Sequence, residues 1–141
     1  MKNEGTLKNI NWSVFIIALL LAIITAGMTM YDLNTSTAVG EAAQSRTAFR
    51  WGSLNVITAV IIVAMITFLA VAWKRIFPFN VPIAIILLGF CYQLFFNTFT
   101  IGWVGMLGML GLFVAFLTGI ILIVSYSVHL IIEQRRTAHR S

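Results

Sequence analysis

The feature that most constrains this chain is where its charges are missing. Nine Lys and Arg and four Asp and Glu residues are confined to positions 2–8, 32–50, 74–75 and 133–140. Asn9–Tyr31 and Trp51–Trp73 are each 23 residues without a charge, and Ile76–Ile132 is 57. A bilayer core of about 30 Å takes about 20 helical residues. The first two runs therefore supply one crossing each, and the third supplies two with a bend between them. Lipid offers no partner to a backbone N–H or C=O, so a spanning segment closes its hydrogen bonds internally as a helix or in a barrel. The runs are solidly apolar rather than alternating, which argues against a barrel.

Composition agrees. Of the 141 residues, 60% are hydrophobic and only 9% charged, with a mean hydropathy of +0.99. Soluble domains carry about 25% charge, and one this small could not bury so much apolar surface. The same numbers exclude a disordered chain. A single cysteine, Cys91, excludes an intrachain disulfide and any multi-cysteine metal site. The expectation is an all-α integral membrane protein: one four-helix transmembrane domain over residues 1–141, with helices at about 12–31, 51–73, 81–100 and 104–132. Pro78 and Pro82 bracket the second turn, and Asn97, Thr98, Thr100 and Gly102 mark the third as a loop or an irregular, re-entrant entry. Residues 37–50 have helix-compatible composition, so the second helix is expected to begin early and project outward.

Orientation follows from the basic residues in the short flanks. Lys2, Lys8, Lys74, Arg75, Arg135, Arg136 and Arg140 fall on one side of a four-span chain, against Arg46 and Arg50 on the other. Both termini are therefore expected in the cytoplasm, in a multi-pass protein of the cell membrane. Trp12 and Trp73 mark the inner interface, and Tyr31, Trp51 and Trp103 the outer one. The first apolar stretch is longer than a signal-peptide core of about 7–15 residues. Asn34-Thr35-Ser36 fits the glycosylation pattern. The basic balance is explained by anionic inner-leaflet lipid, without nucleic acid.

Polar residues within such spans are candidates for function because lipid makes them costly. At 1.5 Å per residue, Thr25, Asn55 and Gln93 lie roughly 6–12 Å below the outer rim. With Thr29, Thr58 and Asn97 they form a polar cluster that would line a pore or ligand site, or join helices by hydrogen bonds. On the fourth helix Gly108, Gly111, Ala115 and Gly119 share a face suited to close helix packing, within the chain or between chains. His129 and Glu133 continue that stripe at i, i+4 spacing, which suits an ion pair better than a metal. His139 lies in the tail, so a bis-histidine haem is not available. No catalytic residue, metal or cofactor is expected, and no proton-coupled carrier either, because the four stretches hold no titratable carboxylate or amine.

One local likeness stands out. Gly89-Phe90-Cys91 followed by Phe96-Asn97-Thr98-Phe99 resembles the third helix of the small four-helix fluoride channels, and Gly52-Ser53-Leu54-Asn55 is similar to part of their second. The chain lacks the paired glycines that break that third helix and the arginine of their first, so no function is carried over. The leading expectation is a non-enzymatic accessory, assembly or immunity-like subunit of a bacterial envelope system. It would act through helix contacts with another membrane protein or with itself. The alternative is a small oligomeric channel or facilitator lined by the outward-facing polar cluster.

Overall fold

The computed structural model describes residues 2–35 and 45–138, with side chains for 5–35 and 45–136. Helix α1 runs Lys2–Thr35, strand β1 Arg46–Thr47, helix α2 Ser53–Ala72, helix α3 Asn80–Phe99, strand β2 Thr100–Ile101 and helix α4 Gly105–Ala138. All four helices are long and apolar enough to cross a membrane. At 20 residues each, α2 and α3 span about 30 Å, the thickness of the hydrocarbon core. Helices α1 and α4 have 34 residues and overrun it.

These boundaries correct the sequence reading in three places. Helix α1 starts at Lys2 rather than near residue 12, because charge stops a membrane crossing without stopping a helix. Residues 2–11 contain no proline, and Lys, Glu and Leu are good helix formers. Helix α4 likewise continues past residue 132, with Arg135 and Arg136 in its last turn, where cations complement the helix dipole. Third, Arg46–Arg50 is extended rather than an early start of α2 (residues 36–44 lie outside the described residues). Its backbone is claimed by the end of α3: β1 pairs antiparallel with β2, Arg46 opposite Ile101 and Thr47 opposite Thr100. The Ala48 and Arg50 amides then donate to the Phe99 and Thr98 carbonyls at 3.0 and 2.7 Å. Helix C-terminal carbonyls lack intrahelical donors, and the extended segment supplies them.

Between α3 and α4 the chain reverses tightly, with no re-entrant segment. Gly102 takes φ 85°, a conformation that favours glycine, and the Gly105 amide donates back to its carbonyl at 3.1 Å.

Helix α3 is the hub: α1, α2 and α4 each pack on it, α4 most extensively. Glycine makes that contact close. A Cβ on Gly108 would stand 2.9 Å from the Phe96 Cβ and 3.1 Å from the Gln93 Cα. On Gly111 it would stand 2.3 Å from the Tyr92 ring, and on Gly119 2.5 Å from Ile86. From the other side, a Cβ on Gly89 would come within 2.6 Å of the Ala115 Cβ.

At the opposite end from the strands, one side chain ties three elements. Asn11 of α1 is 1% exposed; its Nδ2 donates to the Pro78 carbonyl in the α2–α3 turn at 3.2 Å. Its Oδ1 accepts from the Tyr126 hydroxyl of α4. The start of α1, the end of α4 and the α2–α3 turn therefore share one end of the bundle, the terminal end. The strands and the α3–α4 reversal occupy the other, the loop end.

Two tests follow from this packing. Gly108→Ala should destabilise the protein in detergent by about 1–3 kcal/mol, the usual cost of overpacking, because backbone as well as side-chain atoms oppose the new methyl. Gly27→Ala, which meets nothing within 4 Å, should be neutral or stabilising by up to about 1 kcal/mol. Equal unfolding midpoints for the two would refute the close α3–α4 contact. Tyr126→Phe leaves a buried acceptor on Asn11 and should cost about 1–3 kcal/mol. The same change made on Asn11→Leu should cost much less, and a double-mutant cycle with no coupling would refute the clasp.

Candidate functional site

The six polar residues singled out from the sequence fall into separate settings. Asn55, near the start of α2 and 4% exposed, turns its Nδ2 to the Arg50 carbonyl at 2.8 Å and to the Thr98 Oγ1 at 3.3 Å. It thereby fastens the extended segment and α2 to the end of α3. Thr58, also 4% exposed, lies one turn further along, and its hydroxyl donates to the Leu54 carbonyl at 2.9 Å. Thr98 and Thr100 are buried in the same knot, where the Thr100 hydroxyl donates to the Phe96 carbonyl at 2.6 Å. The side-chain donors of Asn55 are thus met from within its own chain.

Thr25 and Thr29 belong to a different place. The Thr25 hydroxyl donates to the Leu21 carbonyl at 2.7 Å and lies 3.0 Å from the Tyr92 hydroxyl. A hydroxyl has one proton to give, so Tyr92 is the donor of that second bond. Thr29 donates to the Thr25 carbonyl at 2.8 Å. Gln93 is buried on α3, its backbone under Gly108 of α4. Asn97 is half-buried, and its Nδ2 is enclosed with no hydrogen-bond partner among the described residues. No hydrogen bond among the described residues joins Thr25, Asn55 and Gln93 to one another.

Thr25, Thr29 and Tyr92 stand instead on the wall of a cleft of about 630 Å³ between α1 and α4, floored by α3. Apart from Thr118 the rest of its lining is apolar, and Ala18, Ala22, Gly89, Gly111 and Ala115 keep it open. The cleft exists because α1 touches α3 but barely α4. No residue in the most apolar stretch of α1 is buried. Of the glycine-face residues, Gly111 and Ala115 line this cleft as well as facing α3, while Gly108 and Gly119 are buried in the α3–α4 contact.

The remaining candidates lie outside both settings. His129 Nδ1 lies 3.9 Å from Glu133 Oε2 on α4, both side chains about half exposed, and Cys91 is exposed on α3. No group of three metal-ligating side chains occurs among the described residues. The sequence does not by itself pair Asn11 with Tyr126, and the polar cluster read from it passed over Tyr92 and Asn80. The available signal was an uncharged hydrogen-bonding group inside an apolar run. No family model, no curated protein and no solved structure matches this chain.

If Asn55 serves as a fastener, Asn55→Leu should lower stability by about 1–3 kcal/mol. It should also speed hydrogen exchange at the Ala48 and Arg50 amides, while amides in the middle of α3 keep their protection. Unchanged exchange at both amides would contradict this role.

Proposed function

We propose that the chain is a non-enzymatic, multi-pass membrane subunit that works by receiving a transmembrane helix of another protein in the cleft between α1 and α4. One observation carries the reading: α1 leaves an apolar, small-residue cleft open along α3 and α4 instead of closing onto them. Small residues let backbones approach, and transmembrane helices associate through such packing because lipid is as apolar as they are. The Thr25–Tyr92 pair adds a hydroxyl on the cleft wall for a polar group of the incoming helix.

In this reading the terminal end is cytoplasmic and the loop end faces outward across the cell membrane. Seven of the nine Lys and Arg residues lie at the terminal end or in the segments leading to it, in accord with the bias toward positive charge inside. The channel reading draws less support. Asn55 is engaged by its own chain, and the hydroxyls of Thr25, Thr29, Thr58, Thr67 and Thr118 donate to carbonyls within their own helices.

Two experiments test this. In a Cys91→Ser background, single cysteines at Ser45 and Thr6 should separate on intact cells: Ser45→Cys reacts with an impermeant thiol reagent and Thr6→Cys does not. Equal reaction at both overturns the topology. For the cleft, a photo-crosslinking residue at Ala22 should give a discrete adduct in native membranes. The adduct should be absent from the same probe at Val63, on the exposed side of α2, and should be lost when Ala18→Trp fills the cleft. A probe at Ala22 that captures nothing, together with Asn55-dependent ion flux through the purified protein in liposomes, would favour the channel.

A further inference from the structure

At the terminal end, a second depression of about 440 Å³ lies between α1 and the α2–α3 turn. It shares no lining residue with the cleft. Lys8, Asn11 and Trp12 of α1 line it together with Trp73, Lys74 and Asn80, and Asn11 and Asn80 are its buried polar residues. Its lining contains no acidic residue. The two indole rings have centroids 6.3 Å apart, which fixes the spacing of α1 and α2 at this level.

The recess is rich in donors. Asn80 is 5% exposed and opens α3; its Oδ1 accepts from the Val81 amide at 2.9 Å, which leaves the Nδ2 hydrogens for a ligand. Phe79, preceding it, makes no side-chain cap; the Val81 amide is answered by Asn80 itself, and the positive end of the α3 dipole lies at the recess that Asn80 and Val81 line. Two ammonium groups, an amide donor and a helix N-terminus around one recess define a site for an oxyanion.

The surroundings choose the source of that oxyanion. Trp73 and Lys74 also border a shallow groove along the last turn of α2, lined by Leu69, Ala70 and Val71. Donors thus sit at the rim, and an apolar track leads from them toward mid-bilayer. That is the layout of a phospholipid, with phosphate above and acyl chain below, and indoles belong at the headgroup level between the two. We infer that this recess is a binding site for an anionic phospholipid, its phosphate held by Lys8, Lys74 and Asn80 and one acyl chain laid along the end of α2.

The test uses the full chain in mild detergent, in a Trp51→Phe/Trp103→Phe background so that fluorescence reports Trp12 and Trp73. Titration with dioleoyl phosphatidylglycerol should give a saturable change. Dioleoyl phosphatidylcholine should need about tenfold more lipid, and inorganic phosphate should give no change. Lys8→Gln/Lys74→Gln should weaken the phosphatidylglycerol response about tenfold or more, as expected for two basic groups near an anionic headgroup, with helix content by circular dichroism unchanged. Arg75→Gln, in the same turn but outside the recess lining, should shift the titration by less than about threefold. An equal response to the two lipids, a phosphate response matching that of the lipid, or an Arg75 effect as large as that of Lys74→Gln alone would overturn the proposal. The first would show a lipid contact without headgroup recognition, the second a free-anion site, and the third a general surface potential. Because the recess and the cleft share no residues, none of these outcomes bears on capture at Ala22.

Discussion

The fold depends on how closely α4 can approach α3. Two apolar helices in lipid gain little by leaving it, so their association rests on packing and on the few hydrogen bonds they can make. Glycines on both helices allow near-contact of backbones: Gly108 over Gln93 and Phe96, Gly119 over Ile86 and Pro82, and Gly89 under Ala115. With α4 seated on one side of α3 and α2 on another, α1 finds only part of the hub free, and among the described residues its hydrogen bond to α4 is the Asn11–Tyr126 bond. The cleft is the remainder of that arrangement. Tight packing on one face of the hub and an open groove on the next have a single cause, the small residues of α3 and α4.

Polar groups are distributed so that the two ends are stitched and the middle is dry. The terminal end has Asn11, Tyr126 and the Pro78 carbonyl. The loop end has Asn55, Thr98 and the backbone of the β1–β2 ladder. Between them lie Ile85, Leu88, Val114 and their neighbours, with the Thr25–Tyr92 pair the principal polar contact between helices at that level. A bundle fastened at both ends and apolar between suits a scaffold for another helix better than a water-filled path, since long hydrophobic stretches tend to dewet.

The four helices were legible because charge exclusion from lipid is a strong, one-dimensional signal that the chain must obey residue by residue. Their ends were not, because Lys2–Lys8 and Glu133–Arg136 are compatible with helix once outside the hydrocarbon, and the same charges that end a span continue the helix. The extended segment at Arg46–Arg50 escaped for another reason. Its conformation is set by carbonyls of Thr98 and Phe99, some fifty residues away in sequence, and no local propensity encodes a distant acceptor. The polar cluster shows the limit of depth as evidence. Thr25, Asn55 and Gln93 are similar in height, but height ignores which face of α3 each neighbour occupies, and Thr25 meets Tyr92 while Asn55 meets Thr98. The glycine stripe on α4 was readable from spacing, whereas the helix lying against it was a matter of tertiary arrangement.

The two rims differ in how their donors are used. At the loop end the ladder amides, the Asn55 amide and the Thr100 hydroxyl find carbonyl or hydroxyl acceptors within the chain, the enclosed Asn97 Nδ2 being the exception among the described residues. At the terminal end the Asn11 clasp is likewise closed, but beside it Asn80, the start of α3 and the ammonium groups of Lys8 and Lys74 share one recess. Convergent donors among aromatic residues call for an anion, and in the proposed orientation the inner leaflet would supply one in its lipids. The clasp and the recess share Asn11, so a phosphate drawn to Lys8 and Lys74 would brace α1 against the α2–α3 turn at the level where Asn11 already joins them. Since α1 is also one wall of the cleft, lipid at the rim and a helix in the cleft would act on the same element.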